Sequence, residues 1–429
     1  MKIVSTKKSS LPAIVKSIKN RQSKKADVES TVRDILKRVQ RDGDTALFAL
    51  TKKFDGASLQ TLKVSKQEIT DAYAQEDAKF IKTLRIAKAN IEKFHKTTIR
   101  KKESAVITTK GVKVWREFRP IERVGLYIPG GKAAYPSSVL MLAVPATIAG
   151  CKEIVLCVPP GKDAKVSSAV LVAADICGIS NIFKVGGAQA IAAMAYGTES
   201  IPKVSKIFGP GNAYVTAAKI LVYGEVAIDM PAGPSEVLVV ADETANPAWV
   251  AADLLSQLEH GEDSQAILVT FTEKFAKQVQ REILRQTKEL SRRAIVKESL
   301  ANSAIVILQD LDQACALIND YAPEHLEIVS RKESEILKKV NNAGSVFLGS
   351  YSSEPLGDYA TGANHTLPTS GYAKMFSPLS VESFGKMMQI QKVSASGIRN
   401  LRRTVEVLAE REGLDAHKNA VSIRFKKAL

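Results

Sequence analysis

Histidine is scarce in this chain, with five among 429 residues: His95, His260, His325, His365 and His417. An unperturbed imidazole titrates near pH ~6.5, so it can exchange protons around neutrality or offer a nitrogen to a divalent metal. In Val250–Gly261, Val250, Leu254 and Leu258 make an apolar helical stripe, with Asp253, Gln257 and His260 on the polar stripe beside it. Residues three apart share a helical face, so Gln257 and His260 could ligate one metal through an amide oxygen and a ring nitrogen. The same spacing also suits a solvent-facing helix end. Glu324 and His325, adjacent before a strand, offer a carboxylate and a base, or a turn with two solvated polar groups. Asp358 and His365 sit in the glycine-rich loop Gly357–His365, which follows the strand-like Gly344–Gly349. Loops at strand ends are where α/β proteins build their sites. His417 stands in Ala416–Val421, close to the chain end.

Two further segments could face a nucleotide. Gly186-Gly187-Ala188-Gln189 and Gly209-Pro210-Gly211-Asn212 each follow a strand-like run and open a helix. Backbone N–H groups at such helix starts can face a phosphate. Neither completes the dinucleotide fingerprint, since Tyr214 stands where its third glycine would be.

The elements that must position these residues follow from periodicity. Val28, Val32, Ile35, Leu36 and Val39 predict a helix that Gly43 would stop. Ser65 and Glu68 have capping-box spacing, opening a long helix through Phe80, Leu84, Ile91 and Phe94. Strand-like Val112–Trp115 and Arg123–Ile128 lead into Pro129-Gly130-Gly131. Short apolar runs then alternate with helical stretches as far as Pro231-Ala232-Gly233-Pro234, and the rhythm resumes beyond it. That alternation argues for parallel sheets covered on both faces. The expected class is α/β, with two incomplete Rossmann-like parallel-sheet domains, one inserted in the other, a helical N-terminal segment and a C-terminal arm. The boundaries read as residues 1–20 for the N-terminal segment, 21–126 with 234–378 for the main domain, 127–233 for the inserted nucleotide-binding-like domain and 379–429 for the arm. Ile398, Leu401, Val405 and Leu408 give the arm one apolar face, ended by Gly413. A segment that short must bury its face on the main body or on a partner subunit.

Composition removes several classes. Hydrophobic residues at 45% describe a globular chain and not a disordered one. The four cysteines lack any CxxC spacing and three lie in apolar stretches, so they read as packing residues without a disulfide framework. Lysines occupy the start where a signal peptide needs apolar residues, and no run approaches a membrane span, so a cytoplasmic location is expected. The net charge of +16 comes largely from scattered lysine pairs without a nucleic-acid-binding motif, which favours a solvated basic surface suited to small anions.

Taken together, the motifs resemble the histidinol dehydrogenase family. The matching stretches are Val124–Gly131, Val185–Ala190, Ile207–Ala213, Asp229–Glu236, Leu255–Gly261, Pro323–Leu326, Gly357–Ala360 with Asn364-His365, and Ala416–Val421. They span nearly the whole chain in order. The resemblance implies NAD-dependent oxidation of L-histidinol through L-histidinal to L-histidine, with one zinc ion per subunit. It implies Gln257, His260, Asp358 and His417 as metal ligands and Glu324 and His325 as the acid–base pair. It further implies that Ser235, Gln257, His260, His325, Asp358, Glu412 and His417 contact substrate, and that Tyr127, Gln189 and Asn212 contact NAD. His365 is not assigned to the metal and reads as a loop-stabilising residue, and His95 as a solvated helix-end residue. A homodimer is implied, the arm of one subunit completing the other's site, with neither nucleic acid nor membrane as partner. Three other readings stand beside this one: a zinc hydrolase without NAD, a basic binding protein that has lost turnover, and a relative acting on another amino or sulfonated alcohol.

Overall fold

A computed structural model of the protein describes residues 1–19, 28–99, 103–130, 134–231 and 233–426. The chain opens with β1 (Lys2–Ser5), which sequence patterning did not announce, and α1 (Leu11–Lys19). Helices α2 (Val28–Phe54), α3 (Lys66–Gln75) and α4 (Ala78–Thr97) follow. Gly43 interrupts α2 without ending it: the backbone takes φ 50° and ψ −132° there, and the helix resumes beyond it. Only glycine adopts that conformation readily. Ser65 and Glu68 form the expected capping box, but the helix they open stops at Gln75, because Glu76 is extended at φ −104° and ψ 140°. Asp77 then starts α4 by accepting the Phe80 N–H.

Strands β2 (Val106–Thr109) and β3 (Val112–Pro120) precede a regular alternation. It runs β4 (Arg123–Tyr127), α5 (Pro136–Ala149), β5 (Glu153–Val158), α6 (Ser168–Ile176) and β6 (Asn181–Lys184). It continues through α7 (Gly187–Tyr196), β7 (Lys206–Phe208), α8 (Ala213–Leu221) and β8 (Ala227–Ile228). The five strands form a parallel sheet in the order β6-β5-β4-β7-β8, so strand order reverses between β4 and β7.

The second parallel sheet takes β9 (Glu236–Ala241), then α9 (Pro247–Leu258), β10 (Gln265–Thr270), α10 (Glu273–Thr287), α11 (Arg293–Ser299) and β11 (Ala304–Ile307). Helix α12 (Leu311–Tyr321), β12 (His325–Val329), α13 (Glu333–Lys339), β13 (Ser345–Leu348) and α14 (Glu354–Tyr359) complete it. The order is β1-β11-β10-β9-β12-β13, with the reversal between β9 and β12. Leu238 and Val240 of β9 enter one apolar cluster and Val237, Val239 and Ala241 enter another, the second containing Val250, Leu254 and Leu258 of α9. A strand apolar on both sides is what a sheet covered on both faces requires. In β12, Leu326 and Ile328 belong to the first cluster and Val329 to the second, so His325 and Glu327 face the side of α9.

Contacts divide the chain into two units, Met1–Thr97 with Ile121–Phe384, and Thr98–Pro120 with Gly385–Leu429. In the second unit β14 (Gly385–Val393), unannounced by the sequence, pairs antiparallel with β3, which also pairs with β2. Helices α15 (Ala395–Arg411) and α16 (Asp415–Ser422) follow, and Gly413 takes φ +71° between them. Among the described residues no helix is long and apolar enough to cross a membrane.

Candidate active site and metal centre

His325 opens β12, where the parallel register sets it opposite Val237 of β9. Its Nδ1 lies 3.0 Å from the Glu236 carbonyl oxygen. A carbonyl only accepts, so Nδ1 carries the proton, and in the neutral ring Nε2 keeps its lone pair. Nε2 is buried without a hydrogen-bond partner, 3.7 Å from Asp358 Oδ1 and 3.8 Å from Glu354 Oε1. Burial works against the imidazolium, but the charges of Glu324, Glu354 and Asp358 outweigh it and raise the His325 pKa to about 10. A cation placed among these carboxylates would oppose that rise.

Glu324 is fixed by a reciprocal clasp across the strand reversal. Its Oε2 accepts the Glu236 N–H at 2.7 Å, while the Glu324 N–H donates to Glu236 Oε2 at 3.4 Å. Burial pushes the Glu324 pKa up to about 8. The chain reaches this pair through Ala322, a non-glycine residue at φ 54° that caps α12. Such left-handed conformations are strained for alanine and cluster at functional sites. Gly344 is required nearby, since a Cβ there would approach the Glu324 carbonyl oxygen to 2.5 Å.

One ligand atom from each of His260, Glu354 and Asp358 lies within 4.8 Å of the others. Helix α9 ends at Leu258, so His260 is not on its last turn as the spacing suggests; it sits just past the C-cap Glu259. Gln257, still helical, is 1% exposed, and its Oε1 is buried with no hydrogen-bond partner. Burial lowers the His260 pKa, which favours the neutral ring a metal needs. Asp358 is held well below the usual carboxylate range by His325 and His365, despite burial acting the other way. Neutral imidazole, amide oxygen and carboxylate with two orphaned oxygens, Gln257 Oε1 and Glu354 Oε1, form a donor set that fits zinc, manganese or cobalt.

His365 stands beside this group and not in it. Its Nδ1 lies 3.2 Å from the Asp358 carbonyl oxygen and its Nε2 lies 3.3 Å from Ser138 Oγ. Asn364 Nδ2 donates to the Met141 carbonyl at 2.7 Å. Both contacts tie the Asp358 loop to α5, the helix that leaves the C-terminal edge of the five-stranded sheet after β4. His325 and Glu236 begin their strands, so the Glu324–His325 pair lies at the N-terminal edge of the six-stranded sheet, opposite to the usual placement of sites. His95 differs from its expected solvated state: it is 1% exposed on the inner face of α4, and burial lowers its pKa to about 4. Ser235 immediately precedes β9, and its carbonyl accepts the Gln265 N–H. Glu412 caps α15 and His417 lies on α16; both are exposed and belong to the second unit.

At the other sheet, Tyr127 ends β4, Gln189 lies in the first turn of α7 and Asn212 caps α8. The Tyr127 hydroxyl accepts the Gly187 N–H at 3.1 Å. Asn212 Oδ1 accepts from Tyr214 and Val215, and the residue is exposed. Gly209, at φ +122°, allows the loop after β7 to pass Tyr127, whose carbonyl oxygen would lie 2.1 Å from a Cβ. The three residues thus line the C-terminal edge of the sheet around the reversal at β4 and β7, where α/β sheets bind ligands.

Sequence reasoning missed Glu354. It lies four residues before Asp358 in Ser353-Glu354-Pro355, and an acid at i, i+4 from another behind a Pro-marked helix start was the available signal. The cysteines are free, and burial pushes the thiols of Cys151 and Cys177 up to about 11 and about 12, which removes them as nucleophiles near neutrality.

Residues 18–425 match the family model described as histidinol dehydrogenase. The chain is 54% identical over 398 residues to a histidinol dehydrogenase of Bacteroides fragilis (strain YCH46), covering 92% of this chain and 93% of the relative. It is 50% identical to one from Vibrio vulnificus (strain YJ016), covering 94% of this chain and 93% of the relative. The crystal structure of histidinol dehydrogenase from Elizabethkingia anophelis superposes with a TM-score of 0.95 at 47% identity, covering 99% of this chain and 98% of that one.

Proposed function

The chain belongs to the histidinol dehydrogenase family, oxidoreductases of histidine biosynthesis acting on histidinol, and from that premise we propose how its residues divide the reaction. Gln257, His260 and Asp358 would hold a zinc ion, joined by His417 of a second subunit. The observation that carries this is the close group of ligand atoms from His260, Glu354 and Asp358, together with an orphaned, buried Oε1 on Gln257 three residues before His260. A zinc ion held by these residues would supply a Lewis acid for the substrate's nitrogen atoms, and so help to orient the substrate. Ser235 at the strand reversal and Glu412 of the second subunit would complete the substrate contacts.

His325 takes the alcohol proton at Nε2 during the first oxidation, its ring orientation set by the Glu236 carbonyl. Glu324, locked by the Glu236 N–H and with its pKa raised into the working range, activates the water that attacks the aldehyde. Tyr127, Gln189 and Asn212 would seat NAD, the hydride acceptor for both oxidations. The ties of His365 and Asn364 to α5 support a substrate carbon placed toward the nucleotide sheet. A cytoplasmic homodimer is part of the same reading. The test is absorbance of reduced cofactor on mixing the protein with L-histidinol and NAD. Activity is expected to vanish on chelation and return with zinc. Full turnover after exhaustive chelation would reject the metal, and no turnover with any nicotinamide cofactor would reject NAD.

A further inference from the structure

We propose that Glu354 belongs to the cation site: its carboxylate supplies charge that sets how tightly a divalent metal is held, and it keeps Nε2 of His325 aimed at the same point. This rests on the reading that a cation sits among Gln257, His260 and Asp358. Glu354 is 1% exposed at the start of α14. Its Oε2 accepts the Ser256 hydroxyl of α9 at 3.1 Å. The backbone is braced as well: the Glu354 N–H donates to Glu327 Oε1 at 2.7 Å, and Ser353 Oγ donates to Asp253 Oδ1 at 2.7 Å.

A brace for a helix start would account for those bonds. It does not account for Oε1, which is buried without a donor, 3.8 Å from His325 Nε2 and grouped with ligand atoms of His260 and Asp358. A buried acceptor left without a donor is destabilising, and a second carboxylate beside it adds repulsion. A positive ion at that point offsets both. The donor chemistry selects zinc, manganese or cobalt over calcium, since the imidazole of His260 is among the grouped ligands. Glu354 is therefore a positioning residue whose charge acts on the metal and on the base.

Zinc affinity measured by competition with a chromophoric chelator, alongside thermal unfolding of the metal-free protein, tests this assignment. Glu354→Gln is expected to weaken zinc binding about tenfold or more, the range seen for groups that tune a metal's ligands. Ser256→Ala, which frees Oε2, is expected to weaken it less. Metal-free Glu354→Gln is expected to unfold at the same or a higher temperature than the metal-free parent, because an amide relieves the repulsion from Asp358. Unchanged zinc affinity with a lower unfolding temperature would mean a purely structural brace and overturn the proposal. If Glu354→Gln does not fold, unchanged affinity in Ser256→Ala overturns it instead. A parent protein that binds no zinc overturns this assignment together with the reading beneath it, whereas a zinc-binding parent with an indifferent variant overturns this assignment alone.

Discussion

At the scale of single residues, function depends on what each side chain is denied. His325 is denied any partner at Nε2 while Nδ1 is tied to a carbonyl, so in the neutral ring the Nε2 lone pair has one direction. Replacing it with Asn is expected to lower histidinol oxidation by about 100-fold or more, the usual contribution of a positioned base. Glu324→Gln is expected to slow oxidation of supplied histidinal by a comparable factor while affecting histidinol oxidation less. Reduced-cofactor formation with each substrate separates the two, and equal small effects on both would reject the division of labour. His95 makes a different kind of prediction. Its folded pKa, about 4, lies below the unfolded value of ~6.5, so the folded state binds fewer protons in that window. Its contribution to stability is complete above ~6.5 and is lost as pH falls toward 4. His95→Gln should flatten the pH dependence of chemical denaturation midpoints between those values, by an amount on the order of 2 kcal/mol. An unaltered slope would show that His95 does not titrate on unfolding.

At the scale of elements, the loop after β7 is held by a buried ion pair. Lys219 of α8 pairs with Asp229 and donates to the Gly209 carbonyl at 2.9 Å, and Asp229 Oδ2 accepts the Gly209 N–H at 2.8 Å. Both side chains are at most 2% exposed. Removing one partner strands the other charge, so Lys219→Met should cost about 3 to 5 kcal/mol by denaturant unfolding. The Lys219→Met, Asp229→Asn double variant should recover part of that loss, as expected of directly coupled groups. Because the pair fixes Gly209 against Tyr127, the single variant should raise the KM for NAD more than that for histidinol. Equal shifts in both would detach this loop from cofactor binding.

At the scale of the whole molecule, one chain buries little of its last helices. Of α15 only Gly397 and Ala409 are buried, while Val407 and Leu408 are 49% and 57% exposed. An apolar face left in that state fits a role in assembly. On the proposal that a second subunit supplies His417, inactive Asp358→Ala chains mixed with inactive His417→Ala chains should regain about a quarter of the parent activity. Half the dimers formed would be mixed, and each mixed dimer would keep one intact site. A mixture that stays inactive after verified subunit exchange would count against shared sites.

Periodicity and turn residues alone determined the alternation of strands and helices from Arg123 to Leu348, because burial on both sheet faces demands continuous apolar runs that local sequence displays. The motif order likewise singled out Gln257, His260, Glu324, His325 and Asp358 as candidates. Local sequence does not encode which distant edges meet, so β1 and β14, whose pairing partners lie across the chain, went unannounced. For the same reason Glu354 went unnoticed, and His95 read as a solvated helix-end residue. Only the packed structure decided that Glu354 faces a histidine and an aspartate with one oxygen unpartnered. Only the fold placed Glu324 and His325 at the N-terminal edge of their sheet, since the reversal between β9 and β12 is a property of strand order and not of any segment.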